Sequence, residues 1–188
     1  MTAIGVVECR GETYALLPGR CWHLTHSNSN LLHNARLGGG KVQSVSVWNR
    51  SPEMEGGVCS PYSLKAMSDP KEQIWERVRL GMKRGLPSRQ GAIYLFDNEK
   101  YAHEAMHSWF PGQTRTLVEA RIALGSRVHA ADARLLECVE SDWEACAERY
   151  WQGEMKAAPI REILVDGTVY FPGWREEPFG LMKPMQLT

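Results

Sequence analysis

At 188 residues and 21.3 kDa the chain has the length of about one domain. Its 22 basic and 22 acidic residues cancel, which excludes binding of nucleic acid or a membrane surface by bulk charge and leaves only local patches such as Lys83-Arg84 and Arg89. A composition of 43% hydrophobic and 23% charged residues excludes disorder, and a chain of this size buries roughly 70% of its unfolded surface, enough for a core without staples.

Two apolar runs open the chain, at 2–9 and 13–17, and read as strands broken by Arg10-Gly11. Pro18-Gly19 is a turn. Cys21 to Thr25 is a third short strand, on which His23 and Thr25 share a face because strand side chains alternate. From 27 to 70 the glycines and prolines predict loop, interrupted by one strand over 42–48 where Val45 and Val47 alternate with serines. Asp69-Pro70 starts a helix running to about residue 83, with Ile74, Trp75, Val78 and Met82 on one side. Residues 91–96 (GAIYLF) form a buried strand, and Asn98 caps a short helix that Pro111-Gly112 stops after Trp109. A strand at 117–124, a helix at 142–151, a strand at 160–165 and a last one at 169–171 follow. Strands outnumber helices in irregular order. The expectation is a single α+β domain over 1–188 with a mainly antiparallel sheet.

The five cysteines (Cys9, Cys21, Cys59, Cys138, Cys146) are odd in number and none forms a C-x-x-C pair, which argues against a disulfide framework or zinc knuckle and for a reducing compartment. Cys138 and Cys146 fall at apolar helical positions and read as core. No apolar run approaches 18 residues and the N-terminus has no basic-then-apolar start, so neither a membrane span nor a secretory signal is expected; the expected location is cytoplasmic, of the producing cell or of a target cell.

Two motifs invite chemistry and fall short. Gly38-Gly39-Gly40-Lys41 suggests a phosphate loop, but Ala35 and Val42 stand where that motif needs Gly and Ser or Thr. His103-Glu104-Ala105-Met106-His107 is a literal H-E-x-x-H whose histidines share a helix face, the arrangement of a zinc hydrolase. No third ligand is singled out downstream, and Ala102, Ala105, Met106 and Trp109 make the same helix an ordinary amphipathic one. Zinc-dependent hydrolysis therefore stands as an alternative reading, and a non-catalytic binding module as another.

Three separated segments carry the stronger signal: Cys21-Trp22-His23-Leu24-Thr25; Gly91 to Asp97 followed by Tyr101-Ala102; and Arg161-Glu162-Ile163-Leu164-Val165. In this order they resemble the ADP-ribosyltransferase superfamily in its His–Tyr–Glu branch, which includes the poly(ADP-ribose) polymerases. His23-Leu24-Thr25 is similar to that branch's His-Gly-Ser/Thr strand, Gly91 to Asp97 to its Gly-x-Tyr-Phe-Ala-Asp strand, and Glu162-Ile163-Leu164-Val165 to its glutamate strand. The stretch from His23 through Asn30 to Leu31 also looks like the opening of the bacterial DNA-modifying ADP-ribosyltransferases. Leu24 departs from the usual glycine, and Ile160 stands where arginine-modifying toxins carry a second acid.

The resemblance implies a split, mainly antiparallel sheet with flanking helices and a central NAD cleft, in an enzyme that releases nicotinamide and transfers ADP-ribose to a protein or nucleic-acid acceptor, as a toxin, effector or housekeeping enzyme. It implies that NAD is the co-substrate and that no metal is needed. By the same resemblance, the Leu24 backbone and Thr25 hydroxyl hold the nicotinamide amide, and His23 the adenosine ribose. Asn30 and Tyr101 complete the NAD contacts. Tyr94 stacks on the nicotinamide ring, and Glu162 binds the ribose 2′-hydroxyl and stabilises the developing cation.

Overall fold

A computed structural model describes residues 5–26, 29–52, 57, 59–176 and 183–184. The expected strand residues 2–4 and the motif residues Ser27 and Asn28 lie outside them. The α+β class with a mainly antiparallel sheet is what the chain adopts: the pairs β1–β2, β3–β5, β3–β6, β6–β9, β7–β8 and β6–β10, whose bounds follow, are all antiparallel. The chain divides into two compact units, each assembled from separate stretches. One takes the chain up to Val42, Leu95–Ser126 and the part from Thr168 onward; the other takes Gln43–Tyr94 and Arg127–Gly167.

In the first unit, β1 (Gly5–Cys9) and β2 (Glu12–Leu16) form a hairpin. Its turn needs two consecutive residues at positive φ, supplied by Arg10 (52°) and Gly11 (78°), the mirror-image geometry that matches strand twist. β3 (Cys21–Thr25) pairs along its full length with β6 (Thr116–Ile122), setting His23 opposite Val118 and Leu24 opposite Leu117. β9 (Thr168–Tyr170) lies on the other side of β6, and β4 (Lys41–Gln43) beyond it. A last short strand, β10 (Lys183–Pro184), also pairs with β6. α5 (Glu99–Trp109), capped by Asn98 and started by Glu99, turns Ala102, Ala105 and Met106 inward and lies against β3.

The second unit holds α2 (Val45–Trp48), α3 (Pro61–Ser68), α4 (Pro70–Gly81) and α6 (Trp143–Gln152) with the strand order β5 (Ile93–Phe96), β8 (Arg161–Asp166), β7 (Arg127–Asp132). β5 straddles the division: Ile93 and Tyr94 belong to this unit, while Phe96 pairs with Trp22 in the other. α4 forms where Asp69 accepts from the Lys71 N–H and Pro70 occupies the first turn. Its Trp75 joins Ala147, Tyr150 and Trp151 of α6 and Leu164 of β8 in one buried cluster, and Trp151 Nε1 donates to the Trp75 carbonyl at 2.7 Å.

The loop expected over 27–70 is corrected by three helices. α1 (Asn30–Leu37) is capped by Ser29 and buries Leu32 and Ala35, while α3 begins at Pro61, a residue pre-set for a first helical turn. The strand expected at 42–48 resolves into β4 and then α2. Ser44 turns the chain there, its hydroxyl accepting from the Val47 N–H at 3.4 Å. Gly38, Gly39 and Gly40 form an ordered helix end: Gly40 N donates to Ala35 O at 2.7 Å, with φ of 94° at Gly40, where an added Cβ would lie 2.5 Å from Tyr170 and Trp174. β7 and β10 were not anticipated. Among the described residues no helix is long and apolar enough to cross a membrane.

Candidate functional site

Glu162 and Tyr94, 68 positions apart in sequence, come together in the second unit through a residue that the motifs did not contain. Arg89, read from sequence as part of a surface patch, is only 6% exposed. Its placement is built from α4, whose Glu72 and Glu76 lie four residues apart and so on one face. Glu76 accepts from the Ser88 hydroxyl at 3.0 Å and is paired with Arg79, which also donates to the Leu86 carbonyl at 2.6 Å. Glu72 accepts from Arg89 Nε and Nη2 at 3.1–3.3 Å. The far end of the turn is fastened where Ser46 N donates to Gly91 O at 3.1 Å. A Cβ on Gly91 would lie 2.1 Å from the Ser46 hydroxyl and 3.1 Å from its backbone nitrogen, so any larger residue there must push Ser46 aside.

Glu162 enters from β8, opposite Ala131 of β7. The approach to that strand is fixed by buried Asp132, whose carboxylate accepts from the backbone N–H groups of Arg134, Lys156 and Ile160 at 2.9–3.0 Å. Glu162 is 3% exposed. Its Oε1 accepts from Arg89 Nη1 at 2.8 Å and from the Tyr150 hydroxyl at 2.5 Å, and Tyr150 in turn accepts from the same Nη1 at 2.7 Å. Every hydrogen bond of this carboxylate to a described residue falls on Oε1; Oε2 takes none.

Three tyrosines surround the guanidinium. Tyr94 donates its hydroxyl to the Arg89 carbonyl, and the guanidinium carbon lies 5.3 Å from the Tyr94 ring centre and 5.2 Å from that of Tyr150. Tyr62 donates to Glu72 at 2.6 Å, accepts from Arg89 Nη2 at 3.0 Å and meets the Tyr94 ring edge-on at 5.4 Å. Burial pushes the phenol pKa of Tyr62 up to about 12, and those of Tyr94 and Tyr150 well above the usual value, so all three hydroxyls stay neutral donors. Burial alone would lower Arg89; the surrounding Tyr150, Tyr94 and Glu162 override it and raise its pKa well above the usual value.

The other expected site residues belong to the first unit. His23 is half-buried with its ring edge-on to Phe171 at 6.1 Å, Leu24 is half-buried beside it, and Thr25 is buried opposite Thr116. Asn30 is exposed at the start of α1, and Tyr101 is half-buried on α5. His103 and His107 also lie on α5. His103 Nε2 is 3.7 Å from Glu99, and His107 is exposed. Among the described residues no group of three or more His, Cys, Asp or Glu side chains is placed to hold a metal ion, so the H-E-x-x-H pair lacks a third ligand there.

Residues 43–172 match the family described as "Protein of unknown function (DUF2441)", and the chain belongs to that family. The match includes Tyr62, Glu72, Arg89, Tyr94, Tyr150 and Glu162, whereas His23, Leu24, Thr25 and Asn30 precede it. No curated protein matches the sequence.

Proposed function

We propose that the protein is an ADP-ribosyltransferase of the His–Tyr–Glu kind, with the split-sheet fold of that superfamily and NAD as co-substrate in its cleft. The observation that carries this reading is the Glu162 carboxylate, fixed through one oxygen and uncommitted through the other. A buried carboxylate with one oxygen free of hydrogen bonds to the described residues keeps an acceptor for a substrate hydroxyl, here the 2′-hydroxyl of the nicotinamide ribose. Charge supports the same chemistry. Arg89 faces two carboxylates among neutral phenols, so the cluster carries one formal negative charge in excess and favours a cation. Breaking the nicotinamide–ribose bond passes through an oxocarbenium-like state of that sign.

In this reading Tyr94, beside Arg89 and Glu162, stacks on the nicotinamide. A protein or nucleic-acid acceptor attacks the face opposite the departing nicotinamide. The test is free nicotinamide released from NAD by the purified chain. Glu162→Gln keeps size and hydrogen-bonding reach but removes the charge, and lowers turnover by about 10²-fold or more, on the order of 3 kcal/mol in the barrier, with NAD affinity largely kept. A native chain that releases no nicotinamide, or a Glu162→Gln variant at full turnover, rejects the reading.

A further inference from the structure

We infer that Arg89 and Tyr150 are positioning residues that hold Glu162 by Oε1 alone, so that Oε2 meets the substrate already oriented. The inference rests on the reading of Glu162 as the catalytic carboxylate.

An arginine that merely neutralises a buried glutamate tends to present its planar fork, two N–H groups onto two oxygens. Arg89 turns that edge, Nε and Nη2, to Glu72 and gives Glu162 a single N–H. The second donor to Glu162 comes from Tyr150, and it converges on the same oxygen. Tyr150 is itself oriented by accepting from Arg89 Nη1, which closes a three-membered ring of bonds around Oε1. A terminal carboxylate held at one point by one donor would still swing; two donors from different elements fix its plane. Those elements are stiff: Tyr150 is fully buried on α6 against Trp75 and Trp151, and Arg89 is tied to α4 through Glu72. The rotamer entropy of Glu162 is thus lost on folding rather than on substrate binding, the general route by which oriented groups lower a barrier.

Positioning through Glu162 differs measurably from support of the fold. Tyr150→Phe removes one donor and keeps the buried ring. We expect kcat for nicotinamide release to fall about tenfold or more, with KM for NAD within about threefold, because the bond acts on the carboxylate and not on dinucleotide binding. In a Glu162→Gln background the same change should alter the residual rate by less than about twofold, since the group it acts through is gone. Should Tyr150→Phe fail to give a native circular-dichroism spectrum, Arg89→Lys, which keeps the charge and loses the fork, is judged by the same two criteria. A native chain that is active and sensitive to Glu162→Gln, yet indifferent to Tyr150→Phe, overturns the positioning role and leaves the catalytic reading standing. An equal fall in both backgrounds, or a rise in KM in place of a fall in kcat, also overturns it, since either marks a structural residue. A native chain that releases no nicotinamide overturns both.

Discussion

Arg89 gains its position from partners scattered along a hundred residues of sequence: Tyr62, Glu72, Tyr150 and Glu162. Nothing in Ser88-Arg89-Gln90 distinguishes it from a surface arginine, and arginine is rarely buried unless paired, so composition alone sends it outward. Glu162 and Tyr94 were singled out by the resemblance of their strands to a known family, since a lone Tyr or Glu in an apolar strand reads by itself as core or solvated face; the guanidinium that joins them carried no such signal. His129 is a second residue whose environment sets its chemistry. Its Nε2 lies 3.0 Å from the Tyr150 carbonyl and its ring packs against Trp151 at 5.2 Å, so the neutral ring carries its proton on Nε2. Burial first, then the nearby charge of Arg84, lowers its pKa, only partly offset by the carbonyl. The unfolded chain therefore takes up this proton before the folded one does. Stability is unaffected above about pH 6.5 and is lost as the pH falls below it. Urea midpoints measured at about pH 7.5 and about pH 5.5 should drop in the native chain and drop less in His129→Gln. Equal drops in the two proteins would mean that His129 takes no part.

At the scale of elements, the long helices and central strands were readable because caps and periodicity agree. Asp69-Pro70 starts α4, Asn98 starts α5, and Gly153, at φ 77°, ends α6. The segment 44–48 was not. Over four residues Val-Ser-Val-Trp satisfies a period of two as well as one helical turn, and only the serine before it decides. β7 was hidden for another reason: Arg127-Val128-His129-Ala130 alternates over only four residues and its Val128 is exposed, while Arg127 pairs with buried Asp166 of β8. That aspartate also takes Arg50 through both oxygens, at 2.8 and 2.9 Å, and the Ser44 hydroxyl at 3.2 Å. Burial would raise the Asp166 pKa, but Arg50 and Arg127 together lower it below the usual value. Ser44 is fully buried and serves three groups, since its hydroxyl also accepts from the Gly167 N–H at 3.1 Å. Ser44→Ala removes a cap and orphans that amide, and should cost about 2–3 kcal/mol. A thermal or urea denaturation series that finds less than about 0.5 kcal/mol would show that water replaces the hydroxyl.

For the molecule as a whole, the span shared with the family begins where the second unit begins, at residue 43, and contains that unit entirely. Of the first unit it keeps β6 and α5 but not β3, the strand to which β6 pairs over five residues. A fragment of residues 43–172 should therefore expose the buried Leu117 and Val118 on an unpaired edge and aggregate. A monodisperse, folded fragment by light scattering would contradict this. The Arg89–Glu162 pair has a temporal side too, because its members stand 73 residues apart. At synthesis rates of about 5–20 residues per second, Glu162 is made roughly 4–15 s after Arg89. Glu72 is already present, only 17 residues upstream, on a segment whose N-cap and first-turn proline are local signals. The nascent arginine thus has one of its two carboxylate partners in the chain before the other is made. The distant glutamate completes the cluster only when β8 arrives.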